Sequence, residues 1–264
     1  MAAELHTPPL GPEHLFEVAG IPITNGILGT WVAMALLILF LLVATRKLRA
    51  VPKGSQNMLE MIVEQLTGIV NTVMEDEDKT RKYLPLILTI FLFVLFLNWA
   101  ALLPGFGTIL FDTGHGHEAS LLRAGSTDLN LTFAMAGVAF LVVQATGLVV
   151  VGIFKYLSKF VHVHSAFHRP FKIRNVLMTI PNFLLGLTEL ISEVAKFIAL
   201  SFRLYGNIYA GEVLLVVFGT LLPVFVPLSG PFYLLEVFVG LIQAFVFAML
   251  TIVFIKIASL NTEH

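Results

Sequence analysis

One long apolar tract of this sequence, from about 176 to 222, holds a set of polar residues that could do chemistry. They are Asn182, Glu189, Ser192, Glu193, Lys196, Ser201, Arg203, Asn207 and Glu212. Ionisable groups at membrane depth cost several kcal/mol on most scales, so they persist only against protein, water or a counter-charge, and they mark ion and proton pathways by default. Arg203 is the sharpest case. A guanidinium cannot shed its proton to ease burial, as a lysine can, so it stays a permanent cation. For Asn182, Ser192 and Ser201 the simpler reading is polar contact between helices, and a Glu193–Lys196 pair would satisfy itself.

At 100° per residue, Glu189, Glu193, Lys196, Arg203 and Asn207 fall in one helical stripe roughly 80° wide. Glu212 lies nine positions beyond Arg203, about 180° round the helix and about 13 Å along it. Arg203 and Glu212 therefore serve different neighbours. In the last apolar segment Glu236 and Gln243 are seven positions apart and share a face, which suits packing opposite Glu212.

The elements that must position these groups are membrane helices. The chain of 264 residues is 57% hydrophobic and 12% charged, too little charge to cover a soluble surface. Its net charge of −1 argues against a nucleic-acid partner, and with no cysteine there is no disulfide or thiolate metal site. Apolar runs at 26–45, 84–103 and 131–154 are long enough to cross a bilayer core of about 30 Å. The 176–222 tract would span roughly 70 Å, so it is expected to tilt steeply, bend or break. A last run covers 232–258, set off by Pro223, Pro227 and Pro231 as a hairpin turn would be. Residues 56–73 repeat Leu59, Ile62, Leu66, Ile69, Val70 and Val73 at helical spacing around Glu60, Glu64 and Asn71, which reads as an amphipathic helix on the membrane surface or a short soluble one. The fold class is thus an all-α integral membrane protein with about five crossing helices and one surface helix. Residues 1–25 form an outer segment and 26–264 a single membrane domain, with a steeply tilted ion-path hairpin at about 173–258.

Positive charge sets the orientation. Arg46, Lys47, Arg49, Lys53, Lys79, Arg81 and Lys82 lie between the first two spans, and Lys155, Lys159, Arg169, Lys172 and Arg174 follow the third. The second-to-third loop has only Arg123, and the first 25 residues have no Lys or Arg. The N-terminus is therefore expected outside and the C-terminus inside. Since the first 25 residues lack the basic region of a secretory leader, the hydrophobic run after them is expected to stay in the protein. His115 and His117, like His162, His164 and His168, lie in loops without metal-helix spacing. No nucleotide or nucleophile motif occurs, and Asn130-Leu-Thr132 reads as helix entry rather than a glycosylation site.

The string Ser201-Phe-Arg-Leu-Tyr-Gly-Asn-Ile-Tyr-Ala-Gly-Glu212 resembles the signature of the subunit a family of F-type ATP synthases. Leu97-Asn-Trp ahead of Leu103-Pro, Asp128-Leu-Asn-Leu-Thr132 and Leu241-Ile-Gln-Ala-Phe245 follow the same family in order, so the resemblance runs from about Thr45 onward. It implies that Arg203 is the essential arginine. Asn207, Glu212, Glu236 and Gln243 match polar positions near the ion path, and Glu189, Ser192 and Lys196 match earlier positions of the same helix. Two departures are visible: Glu236 stands where many bacterial relatives carry His, and Ala101 where some carry Asp.

The resemblance implies a non-catalytic stator subunit, without cofactor or metal, in a bacterial energy-coupling (inner) membrane. Its partners would be a ring of c subunits, peripheral-stalk b subunits, the rest of the ATP synthase and lipid. A ring carboxyl would be neutral facing lipid and ionised opposite Arg203. Protons would enter through an outer half-channel holding Asn207, Glu212, Glu236 and Gln243, and leave through an inner one holding Glu189, Ser192 and Glu193, with Arg203 between them. Glu212 and Glu236 are expected to lie close and share a proton. The rival reading is a self-contained secondary transporter with a broken helix at its ion site, although no paired halves are visible; a purely structural anchor would not need the charge stripe.

Overall fold

The computed structural model describes residues 9–107, 109–112, 118–153, 156, 173–221 and 229–260. The five loop histidines and the Pro223–Pro227 part of the hairpin turn lie outside them. Most of the chain is helical, as an all-α membrane protein requires, with two small hairpins that the sequence reading missed. In the first, β1 (His14–Val18) pairs antiparallel with β2 (Ile21–Thr24). The linking residues Ala19 and Gly20 have φ of 53° and 79°, the handedness that matches strand twist in a two-residue turn. The second pairs β3 (Leu110–Asp112) with β4 (Glu118–Ser120). Strands of three to five residues are too short to show a period-two pattern.

Six α-helices among the described residues follow from local signals. Thr24 ends β2 and caps α1 (Asn25–Thr45), its hydroxyl accepting from the Ile27 amide at 3.3 Å. α2 (Ser55–Met74) is the expected amphipathic helix: Leu66, Val70 and Met74 are buried, while Glu60 and Glu64 are exposed. Glu75 closes it in the left-handed region with φ 56°. Asp76 then caps α3 (Glu77–Ala100) through the Asp78 and Lys79 amides. The Lys79 amide, ahead of a smaller burial effect, holds the Asp76 carboxyl below its usual range. The cap explains why α3 begins seven residues before the apolar run at position 84. α4 (Leu129–Val151) starts where Asp128 accepts from the Asn130 amide at 2.9 Å, so Asn130-Leu-Thr132 is helix entry.

α5 (Ile173–Leu221) is one continuous helix of 49 residues. It runs through Pro181, Gly186, Gly206 and Gly211 without a break, so of the three outcomes open to so long a tract, breaking does not occur. α6 (Ser229–Ser259) follows. Among the described residues four helices, α1, α3, α4 and α6, are long and apolar enough to cross a membrane; the longer α5 carries the charges.

The chain forms two compact units, Met1–Thr132 with Phe202–Ile252, and Phe133–Ser201 with Val253–His264. In the first, α3 packs against α1 and α2, with Ile87, Val94, Leu95 and Leu97 buried. At its end the Asn98 amide donates to the Gly240 carbonyl at 3.2 Å and the Trp99 indole to the Val237 carbonyl at 3.1 Å. The Leu-Asn-Trp string thus grips the backbone of α6. In the second unit, Phe197 of α5 meets Phe133 and Phe140 of α4 at ring distances of 5.4 and 5.8 Å.

Gly29 sets how closely α1 approaches the turn before α4, because a Cβ there would fall 1.8 Å from the Arg123 carbonyl oxygen. Gly29→Ala is therefore expected to push α1 off this turn and cost about 1–3 kcal/mol, as overpacking does, seen as a lower thermal midpoint of the detergent-solubilised protein.

Candidate functional site

In the first unit, α5 and α6 run antiparallel side by side. Phe218 and Phe232 stack at 4.0 Å near one end, and farther along the Asn207 amide donates to the Gln243 side-chain oxygen at 2.8 Å. Between these contacts the buried Glu236 carboxyl lies against Gly211. A Cβ at position 211 would come within 2.2 Å of both Glu236 carboxyl oxygens. The absent side chain of Gly211 is what lets a carboxyl occupy the helix interface. Asn207 thus meets Gln243, and Glu236, seven positions earlier on α6, meets α5 at Gly211.

Glu212 points to a different neighbour. Its Oε2 lies 3.8 Å from Nη2 of Arg123, and Arg123 is 3% exposed against 28% for Glu212. Arg123 also donates from Nε to the Thr127 hydroxyl at 3.1 Å and from Nη1 to the Gly11 carbonyl at 2.5 Å. Among the described residues no hydrogen bond joins Glu212 to Glu236, and the ion-pair partner of Glu212 is the Arg123 guanidinium. The sequence reading passed over Arg123 as a loop charge. Its signal was position: it is the single basic residue of a loop that the positive-inside rule leaves without any.

Arg203, one helical stretch before, is exposed on this chain. Among the described residues no carboxylate lies within ion-pair distance of it. Phe202 beside it is exposed, as are Phe238, Leu241, Ile242 and Phe245 on α6 of the same unit.

The second unit holds the earlier polar positions. Glu193 is buried and receives Lys196 at 3.0 Å, an i,i+3 ion pair. The Lys196 ammonium also lies 5.5 Å from the centre of the Phe254 ring. Gln144 of α4 donates to the other Glu193 oxygen at 3.4 Å, and the Tyr156 hydroxyl donates to Gln144. Gln144 and Tyr156 were not singled out in the sequence, although an amide inside the apolar α4 was a visible signal. Glu189 is half-buried, Ser192 exposed and Ser201 fully buried. Asn182 lies in a part of α5 whose side chains are not described.

Chemically, Glu193, Glu212 and Glu236 can exchange protons, the Asn207 and Gln243 amides can orient a chain of hydrogen bonds but not titrate, and the arginines remain cations. A family model described as ATP synthase A chain matches residues 27–256. The chain is 33% identical to ATP synthase subunit a of Moorella thermoacetica over 92% of this chain and 94% of that one. It is 35% identical to ATP synthase subunit a of Campylobacter fetus over 84% of each chain. With ATP synthase subunit a 3 of Pelobacter propionicus it shares 33% identity over 97% of this chain and 94% of the relative.

Because Gly211 makes the room for the Glu236 carboxyl, Gly211→Ala is expected to displace it. Ion-driven activity in membrane vesicles should fall about tenfold or more, as a small misplacement of a working group costs, and shortening the acid with Glu236→Asp should recover part of the loss.

Proposed function

The chain belongs to the ATP synthase A chain family, and from that premise we propose that it is the stationary proton-path subunit of a rotary ATP synthase, with Arg203 facing a moving carboxyl on a ring of c subunits. The observation that carries this reading is the exposed guanidinium of Arg203, which has no ion-pair partner among the described residues. A cation that cannot be discharged needs a counter-charge wherever lipid is the solvent, and this chain offers none among its described residues. The exposed apolar side chains of the same unit, Phe202, Phe238, Leu241, Ile242 and Phe245, suit a greasy partner surface that brings the carboxylate with it.

Around this contact we place two half-channels. The outer one holds Asn207, Glu212, Glu236 and Gln243; the inner one holds Glu189, Ser192 and Glu193, with Lys196 paired to Glu193. A ring carboxyl reaching Arg203 gives up its proton because a neighbouring positive charge favours the ionised form, and it must be protonated again before it faces lipid. Rotation is thereby tied to proton entry on one side and exit on the other, while the arginine blocks a direct path. The membrane potential supplies about 2.3 kcal/mol per charge per 100 mV for this work. The subunit is non-catalytic, lies in a bacterial energy-coupling membrane with its N-terminus outside and C-terminus in the cytoplasm, and works beside peripheral-stalk b subunits.

Arg203→Ala in the whole complex is expected to abolish ATP-driven acidification of inverted membrane vesicles and ATP synthesis under an imposed gradient. Unimpaired pumping by an assembled Arg203→Ala complex would remove Arg203 from the mechanism.

A further inference from the structure

Arg123 is a second arginine of the membrane sector, enclosed in protein rather than turned outward. Three separate parts of the first unit surround its guanidinium: the N-terminal segment through the Gly11 carbonyl, its own turn through the Thr127 hydroxyl, and α5 through Glu212. Its backbone is held as well, the amide donating to the Asn25 carbonyl at 3.3 Å and the carbonyl lying against Gly29. The N-terminal segment is tied to α5 by the Tyr205 hydroxyl, which donates to the Leu10 carbonyl at 2.9 Å.

The contact with Glu212 has a different character. Arg123 Nη2 and Glu212 Oε2 are both buried and neither has a hydrogen-bond partner among the described residues, and at 3.8 Å they are too far apart for a direct bond. The guanidinium is therefore anchored by Nη1 and Nε, while the nitrogen facing the carboxylate is left available. An anchored cation does not follow a carboxyl that takes up or releases a proton. It keeps the same place in both states.

We propose that Arg123 is a positioning residue for outer-side proton entry: it holds Glu212 in place and sets the pH range over which Glu212 exchanges protons. The inference rests on the reading of the chain as the proton-path subunit. The other titratable groups around the pair are Tyr205 and Tyr209 on α5, Asp128 at the start of α4, Glu236 across Gly211 on α6, and Glu13, whose carboxylate is taken up by Asn25. Among them only Arg123 supplies positive charge.

The test uses the assembled complex in inverted vesicles, with pumping followed against the pH of the outer-facing side. Arg123→Gln is expected to lower pumping several-fold and to move the profile to more alkaline pH by about one unit, the direction in which losing a neighbouring positive charge moves a carboxyl. Arg123→Lys keeps the charge and should keep the wild-type profile. In a Glu212→Gln background, Arg123→Gln should cause no further loss. If Arg123→Gln alone fails to assemble, the Arg123→Gln, Glu212→Gln double variant should assemble again, since no buried carboxylate is then left unpaired. An unmoved profile in Arg123→Gln, a further loss in the Glu212→Gln background, or a double variant that still fails to assemble overturns the inference. Arg203→Ala runs in parallel: normal pumping there defeats the functional reading itself, whereas its loss together with an indifferent Arg123→Gln defeats only the role given to Arg123.

Discussion

A guanidinium in a low-dielectric layer must find negative charge, because it has no neutral form to retreat to. Two arginines of this chain meet that constraint in opposite ways. Arg123 is enclosed and answered from within by Glu212, Thr127 and Gly11. Arg203 is exposed and unanswered among the described residues. The first arrangement is closed within the chain; the second is the one for which the proposed function supplies a charge from another chain.

Small residues make that placement possible. Gly211 admits the Glu236 carboxyl between two helices, and Gly29 admits the backbone of the Arg123 turn against α1. Elsewhere the helices close on apolar and aromatic side chains, as with Phe218 on Phe232 and Phe197 between Phe133 and Phe140. Polar contacts across helices are of two kinds: Asn98 and Trp99 reach backbone carbonyls of α6, while Asn207 with Gln243 and Gln144 with Glu193 join side chains. In lipid such bonds align helices more than they drive their association, since the separated helices find other partners.

Long-range periodicity was legible because lipid leaves few alternatives to a helix. The spans, the amphipathic α2 and the shared face of Glu236 and Gln243 could all be read from residue types and spacing. Ends were harder: α3 starts early because Asp76 caps it, a side-chain contact rather than a hydropathy signal. The two hairpins escaped notice because each strand is too short for its pattern to stand out.

By itself the sequence determined that the chain lives in a membrane, that Arg203 sits within an apolar helix, and that Glu212 faces away from it. These follow from composition and from the 100° step of one helix, which need no knowledge of neighbours. Only the tertiary structure decided who meets whom: Arg123 with Glu212, Asn207 with Gln243, Gln144 with Glu193, and Tyr156 with Gln144. Those pairings depend on how elements far apart in the chain pack and on where a missing Cβ leaves room, and no local spacing encodes that.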